Sequence, residues 1–286
     1  MDRRQRLQRD RIRDHPGRMT RSIARGLCAA AAVALILSCP IRSGDAGNIP
    51  LDQRRSSYEL MSPPTRAMQD DDTANPGTLW VLDGEALWQR ESGAAGQACA
   101  GCHGDAAQSM KGVAARYPAF DASSGRPIDL EQRIVDCRVE RQRAPAPARE
   151  SKELLALTAF VARQSRGMAI EDVAGKDERL RPFLESGRAA FEQRQGQLNL
   201  SCANCHDDNW GRSLAGNAVP QGHPTGYPIY RLEWQGMGSL QRRLRNCMIG
   251  MRAETYAYGS PEYVDLQLYL AWRARGMPVE APGVRP

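Results

Sequence analysis

The sequence predicts an all-α fold of two tandem helical domains related by duplication, with an extended N-terminal arm ahead of them. Three observations carry this expectation. An internal repeat covers most of the chain, each copy shows helical periodicity, and sustained period-two alternation is absent, so no sheet is expected. Gly84-Glu85-Ala86-Leu87-Trp88 precedes Cys99 at the spacing with which Gly187-Arg188-Ala189-Ala190-Phe191 precedes Cys202, and CAGCHGD (99–105) then matches CANCHDD (202–208). LEQRIVDC (130–137) matches LQRRLRNC (240–247), and SKELLALTAFVARQSRGM (151–168) matches SPEYVDLQLYLAWRARGM (260–277). Offsets of 103, 110 and 109 preserve the order and need only small loop changes.

Taken from the start, residues 1–46 read as an export signal. LCAAAAVALIL (27–37) is an apolar run too short to span a bilayer as a helix. Arg21 and Arg25 precede it, and the small residues Gly44 and Ala46 follow at cleavage-site spacing. Met19 is an alternative start, and Cys39 after ILS is a weak lipoprotein signal. This leader holds ten Arg and four Asp, which accounts for the whole net charge of +6. The remainder is neutral, so a nucleic-acid partner is not expected, nor is a membrane span. Export places the protein in the periplasm, where thiols meet an oxidising environment.

Residues 47–77 are polar, contain Pro and form the expected arm. Residues 78–168 make the first domain, 169–177 a linker and 178–286 the second domain. GEALWQRE (84–91) and ESGRAAFEQRQ (185–195) read as first helices, and LEQRIVDC and LQRRLRNC as short third ones. The last helices are clearest: Leu154, Leu157 and Val161 share a face, as do Tyr263, Leu266 and Leu270. Ser260-Pro261 suits a helix start, and Gly167 and Gly276 suit stops.

Each repeat carries C-x-x-C-H: Cys99, Cys102 and His103, then Cys202, Cys205 and His206. Two thiols one helical turn apart can add to the porphyrin vinyls, while the following His presents imidazole to iron. The alternatives are a zinc half-site and a redox dithiol. Zinc needs two further ligands per site at short spacing, and none exists. A redox dithiol does not require His at the fifth position in both copies. The expectation is two covalently bound haem c groups, each in a class I cytochrome c-like domain.

The far side of each iron needs a second ligand. Residues 111–150 contain no Met and no His, which leaves Cys137 as the soft ligand of the first haem. Met237, Met248, Met251 and His223 compete in the second half, but Cys247 is the repeat partner of Cys137. The axial pairs expected are therefore His103 with Cys137 and His206 with Cys247. A Cys137–Cys247 disulfide and buried inert thiols are the other readings. A thiolate ligand stabilises ferric haem and lowers its potential, which favours catalysis over simple electron shuttling.

Arginines separate the two cysteines. Arg243 lies one turn before Cys247, and Arg245, Arg252 and Arg273 are further cationic candidates. A sulfur nucleophile beside guanidinium groups suits an anionic sulfur substrate. Pairing of these arginines with haem propionates, or exposure to solvent, is the bland alternative.

With both CxxCH sites, three stretches make the chain similar to the SoxA family: GHPTGYPIYRLEW (222–234), RRLRNCMIGMRAE (242–254) and GSPEYVDLQLYLAWRARGMPVEAPGVRP (259–286). These proteins are haem-bearing catalytic subunits of the SoxAX cytochromes of bacterial thiosulfate oxidation. The resemblance spans residues 75–286 and is most specific in the C-terminal third. It implies a heterodimer with a SoxX-like monohaem cytochrome c and an L-cysteine S-thiosulfotransferase activity. That activity couples thiosulfate oxidatively to a cysteine of a SoxYZ-like carrier. The family's active-site cysteine falls on Cys247, a candidate persulfide carrier, and its active-site arginine on Arg243. A second such arginine falls on Arg273, with Arg252 as the alternative. The first haem is then structural or vestigial. The rival readings are a dihaem electron carrier without sulfur chemistry and a haem-based redox sensor.

Overall fold

Two closely packed helix pairs frame the protein in a computed structural model that describes residues 48–286. The expected export signal lies outside the described residues. Among them, no helix is long and apolar enough to cross a membrane.

The arm departs from its expected extended form. It holds two 3-10 turns and helix α1 (Pro63–Asp70), which Ser62 caps with Pro at its start. It touches both halves: Asp72 pairs with Arg163 and Arg166 of the first at 2.8 Å, and further contacts run to the second. Arg55 N–H donates to Gln221 Oε1 at 2.7 Å, Asn75 Nδ2 to Pro282 O at 3.1 Å, and Val284 N–H to Gln69 Oε1 at 2.9 Å. Its polar residues are thus partners for distant backbone, a role composition does not reveal.

In the first half α2 (Gly77–Gln89) leads to α3 (Cys99–His103) and the short α4 (Ala106–Ser109). A hairpin of β1 (Ala119–Asp121) and β2 (Arg126–Ile128) follows, then α5 (Leu130–Asp136) and α6 (Lys152–Arg163). After α7 (Val173–Lys176), the second half follows a similar order, with a hairpin in place of α4 and an added last strand. It has α8 (Arg181–Glu192), α9 (Cys202–His206), a hairpin of β3 (Ser213–Leu214) and β4 (Asn217–Ala218), then β5 (Ile229–Arg231) and β6 (Gly236–Gly238). Helices α10 (Leu240–Gly250) and α11 (Pro261–Arg273) and strand β7 (Gly283–Arg285) complete it. β5 pairs antiparallel with β6 and parallel with β7. The all-α expectation is therefore corrected to a mainly helical fold with short strands. Strands of two or three residues are too short to display alternation, and the β7 pairing joins segments about fifty residues apart.

The last helices are buried more completely than one apolar stripe suggests. Leu154 through Ala162 of α6 are buried without a break, as are Tyr263 through Ala271 of α11. One side of α6 meets α2 and one side of α11 meets α8, at backbone contact distance. A Cβ on Gly84 would lie 2.2 Å from Ala156 O, and one on Gly187 2.0 Å from Asp265 O. Only glycine permits this approach.

Equivalent segments also stitch the halves together. Ile170 N–H donates to Met277 O and Gly276 N–H to Ile170 O, both at 2.8 Å, while Gly167 N–H reaches Val279 O at 2.8 Å. Ala162, Ile170, Ala274, Met277 and Val279 share one core there. Asp129, which caps α5, accepts from Arg149 and from Gln241 Nε2 of α10.

We expect Gly187→Ala to destabilise the fold by about 1–3 kcal/mol through overpacking against backbone. Gly250→Ala, with no atom within 4 Å of an added Cβ, serves as the neutral control. Denaturant midpoints of the two variants measure the difference.

Candidate functional site

The second cleft is built from α9 outward. Ser201 and Asn204 cap each other's backbone at the helix start, which fixes a turn whose i and i+3 positions hold Cys202 and Cys205. His206 follows and donates from Nδ1 to Pro220 O at 2.7 Å. That bond occupies Nδ1 and leaves Nε2 as the nitrogen open to a second partner. Gly222, at φ 80°, lets the backbone run against the imidazole, since an added Cβ would sit 3.3 Å from its Cγ.

Opposite, α10 presents Cys247, whose sulfur is within hydrogen-bonding reach of His206. The cleft spans about 950 Å³, part of it open to solvent, and is walled by Phe191, Leu240, Leu244, Leu266 and Leu270 with Arg243 and Tyr227 among them. Burial pushes the Cys247 thiol up. The hydrogen bond from His206 and the charges of Arg243, His206 and Arg231 outweigh it, and the thiol falls below its ordinary value. Burial also lifts the Tyr227 hydroxyl to about 12 against the pull of Arg243.

The first cleft has the same plan and different electrostatics. Cys99, Cys102 and His103 face Cys137 across about 1000 Å³ walled by Trp88, Val113, Leu130, Ile134 and Val161. Cys102 and His103 are exposed, whereas Cys205 and His206 are half-buried. Cys137 opens a π-helical turn to Arg141, while Cys247 lies inside regular helix. Burial dominates at Cys137 and leaves its thiol raised despite Arg133 and Arg141.

Both clefts fit a haem c. Each combines an apolar wall, a thiol pair one turn apart, an adjacent imidazole and a facing thiol. A buried donor at the rim of the first cleft, Arg138 Nε, lacks a protein partner. Haem carboxylates are groups that such positions accommodate. All six described cysteines are free, so no Cys137–Cys247 disulfide forms. Among the described residues, no three His, Cys, Asp or Glu side chains converge on a bare metal ion, contrary to a zinc site.

Of the expected arginines, the structure brings Arg243 alone to the Cys247 cleft. Arg252 is exposed, at φ 55° in the turn after α10. Arg273 is fully buried behind the imidazole, where it pairs with Asp207 and donates to Gln221 O at 3.2 Å. It braces the loop that holds His206. Arg231 of β5 and Tyr227 act on Cys247 instead. Both lie within GHPTGYPIYRLEW, but no spacing rule ties a residue sixteen positions upstream to a cysteine.

The comparisons agree with this architecture. The family model described as SoxA/TsdA, cytochrome c domain, matches residues 83–170 and 186–279. The chain is 39% identical over 237 residues to the L-cysteine S-thiosulfotransferase subunit SoxA of Pseudaminobacter salicylatoxidans, with 82% of each chain covered. It is 36% identical to that of Rhodovulum sulfidophilum, covering 82% of this chain and 81% of the relative. The crystal structure of SoxXA from P. pantotrophus superposes with a TM-score of 0.77 at 34% identity, covering 82% of this chain and 87% of that one. Matched in sequence along most of its length and in the fold that carries both clefts, the chain belongs to the SoxA family of cytochrome c proteins.

Proposed function

We propose that this chain is the catalytic subunit of a periplasmic L-cysteine S-thiosulfotransferase, built from two duplicated cytochrome c-like domains. Two haem c groups are held covalently by Cys99 and Cys102 and by Cys202 and Cys205. His103 and Cys137 would hold the iron of the first, and His206 and Cys247 that of the second. A SoxX-like monohaem cytochrome is its partner, and a SoxYZ-like carrier cysteine its second substrate.

One observation supports placing the chemistry at Cys247 rather than Cys137. Arg133, one turn before Cys137, is tied to Asp121 at 2.9 Å. Arg243, one turn before Cys247, pairs with no carboxylate among the described residues and lines the cleft. A guanidinium without a counter-ion, beside a sulfur in an apolar pocket, is a site for a sulfur oxyanion.

In this reading Arg243 holds the sulfonate end of thiosulfate and turns its outer sulfur towards Cys247. Tyr227 closes the same wall. Leu240, Leu244 and Leu270 keep water from the reacting sulfurs. The net reaction joins that outer sulfur to the carrier cysteine sulfur, releasing the thiol proton and two electrons. Bound haem supplies a one-electron relay for those electrons towards the partner cytochrome.

Cys247→Ala is expected to reduce thiosulfate-dependent turnover with partner and carrier by at least about 100-fold. Survival of turnover would reduce the protein to a dihaem electron carrier. Cys137→Ala should leave most turnover intact while changing the spectrum of the first haem. The intact mass of the mature protein should show two haem additions; a single addition is incompatible with the dihaem assignment.

A further inference from the structure

Arg273 is the bulkiest fully buried side chain among the described residues, at 1% exposure. A buried guanidinium–carboxylate pair is often no more stabilising than apolar packing of the same volume, so stability alone does not account for it. Its contacts converge on the two ends of one hydrogen bond. The His206 imidazole meets Pro220 O through Nδ1 at 2.7 Å. Asp207 directly follows the imidazole in the chain, and Gln221 directly follows that carbonyl. Arg273 Nη2 donates to Asp207 Oδ1 at 2.5 Å and to Gln221 O at 3.2 Å, with Nη1 3.5 Å from Asp207 Oδ2. One rigid fork thus ties the donor's strand of chain to the acceptor's.

The neighbours keep the fork in place. Its guanidinium lies over the Phe191 ring at 4.6 Å, and the same ring stands 6.3 Å from the imidazole. The arm grips the Gln221 side chain, whose Nε2 donates to Gln53 O at 3.2 Å and whose Oε1 accepts from Arg55 N–H at 2.7 Å. The loop that carries Pro220 O is therefore held through its main chain by α11 and through a side chain by the arm.

The first half has no such clamp. Offsets of 103 and 109 put Gly104 at the position of Asp207 and Gln164 at that of Arg273. Gly104 has no side chain to pair, and Gln164 Nε2 turns back onto Phe160 O of α6 at 3.0 Å. His103 is exposed and backed by Trp88 alone, at 5.6 Å.

We propose that Arg273, together with Asp207, is a positioning residue that locks the His206–Pro220 hydrogen bond and so sets the donor strength of that imidazole at the second haem, not the first. The inference rests on the haem assignment above and goes beyond it, since Arg273 acts only through His206. A firmly held bond from Nδ1 to a carbonyl makes an imidazole more basic, which favours ferric iron and lowers the potential. A loosened loop weakens the bond, and the potential rises.

The test is a redox titration of both haems in the loaded protein, with the ferric spectrum of each. A through-space charge effect would lower the second potential in Arg273→Met and raise it in Asp207→Asn. Loss of positioning raises it in both, and that is the result expected, with an altered ferric spectrum of the second haem alone. Arg273→Lys keeps the charge but not the fork; it should raise the potential as well, and it decides the matter if Arg273→Met does not fold. Denaturant midpoints and haem content show that each variant is folded and loaded. Opposite shifts in Arg273→Met and Asp207→Asn, or no shift in Arg273→Lys, overturn the proposal. Equal shifts at both haems also overturn it, because they mark a general loosening of the fold. If the parent carries no second haem, the haem assignment fails and takes this inference with it.

Discussion

Each half depends on one helix-on-helix contact that only glycine allows. Gly84 brings α2 against the backbone of α6, and Gly187 brings α8 against that of α11. Four residues after each glycine, one helical turn on, stands an aromatic side chain: Trp88 and Phe191. Trp88 lies 5.6 Å from the His103 ring and Phe191 6.3 Å from the His206 ring, centroid to centroid. The close packing therefore sets the wall that supports each imidazole. A side chain at either glycine would move the aromatic residue, and with it the ligand it backs.

On this common frame, charge makes the two clefts chemically different. Their cysteines are related by sequence and by place, but one thiol is raised and the other lowered. Burial acts in the same direction at both. What differs is the balance of carboxylates and guanidiniums around each: Arg133 is paired with Asp121, whereas Arg243 pairs with no carboxylate among the described residues. Deeper seating of Cys205 and His206 adds to the contrast, since fields act more strongly away from water.

The chain ends serve the second half. The arm and strand β7 meet at Arg285, which donates to Ser57 Oγ at 2.7 Å and also bonds Gln69 and Glu280. Ser57 and Arg285 both line the second cleft. The arm reaches the first half too, through Asp72 on Arg163 and Arg166, but Cys102 and His103 stay exposed there.

Legible in the sequence were the similar order of the two halves, both CxxCH turns, a cysteine lining each cleft, and Arg243 one turn from Cys247. These are local patterns, in which helical pitch alone decides which side chains meet. Tertiary structure decided the rest. The three-stranded sheet, the folded arm, the burial of Arg273 against Asp207 and the entry of Arg231 into the field of Cys247 all join segments far apart in the chain. Arg252 and Arg273 looked as eligible as Arg243 because charge reads the same along a sequence wherever the side chain ends up. Which arginine acts at the sulfur depends on which ones already have a buried carboxylate, and only packing settles that.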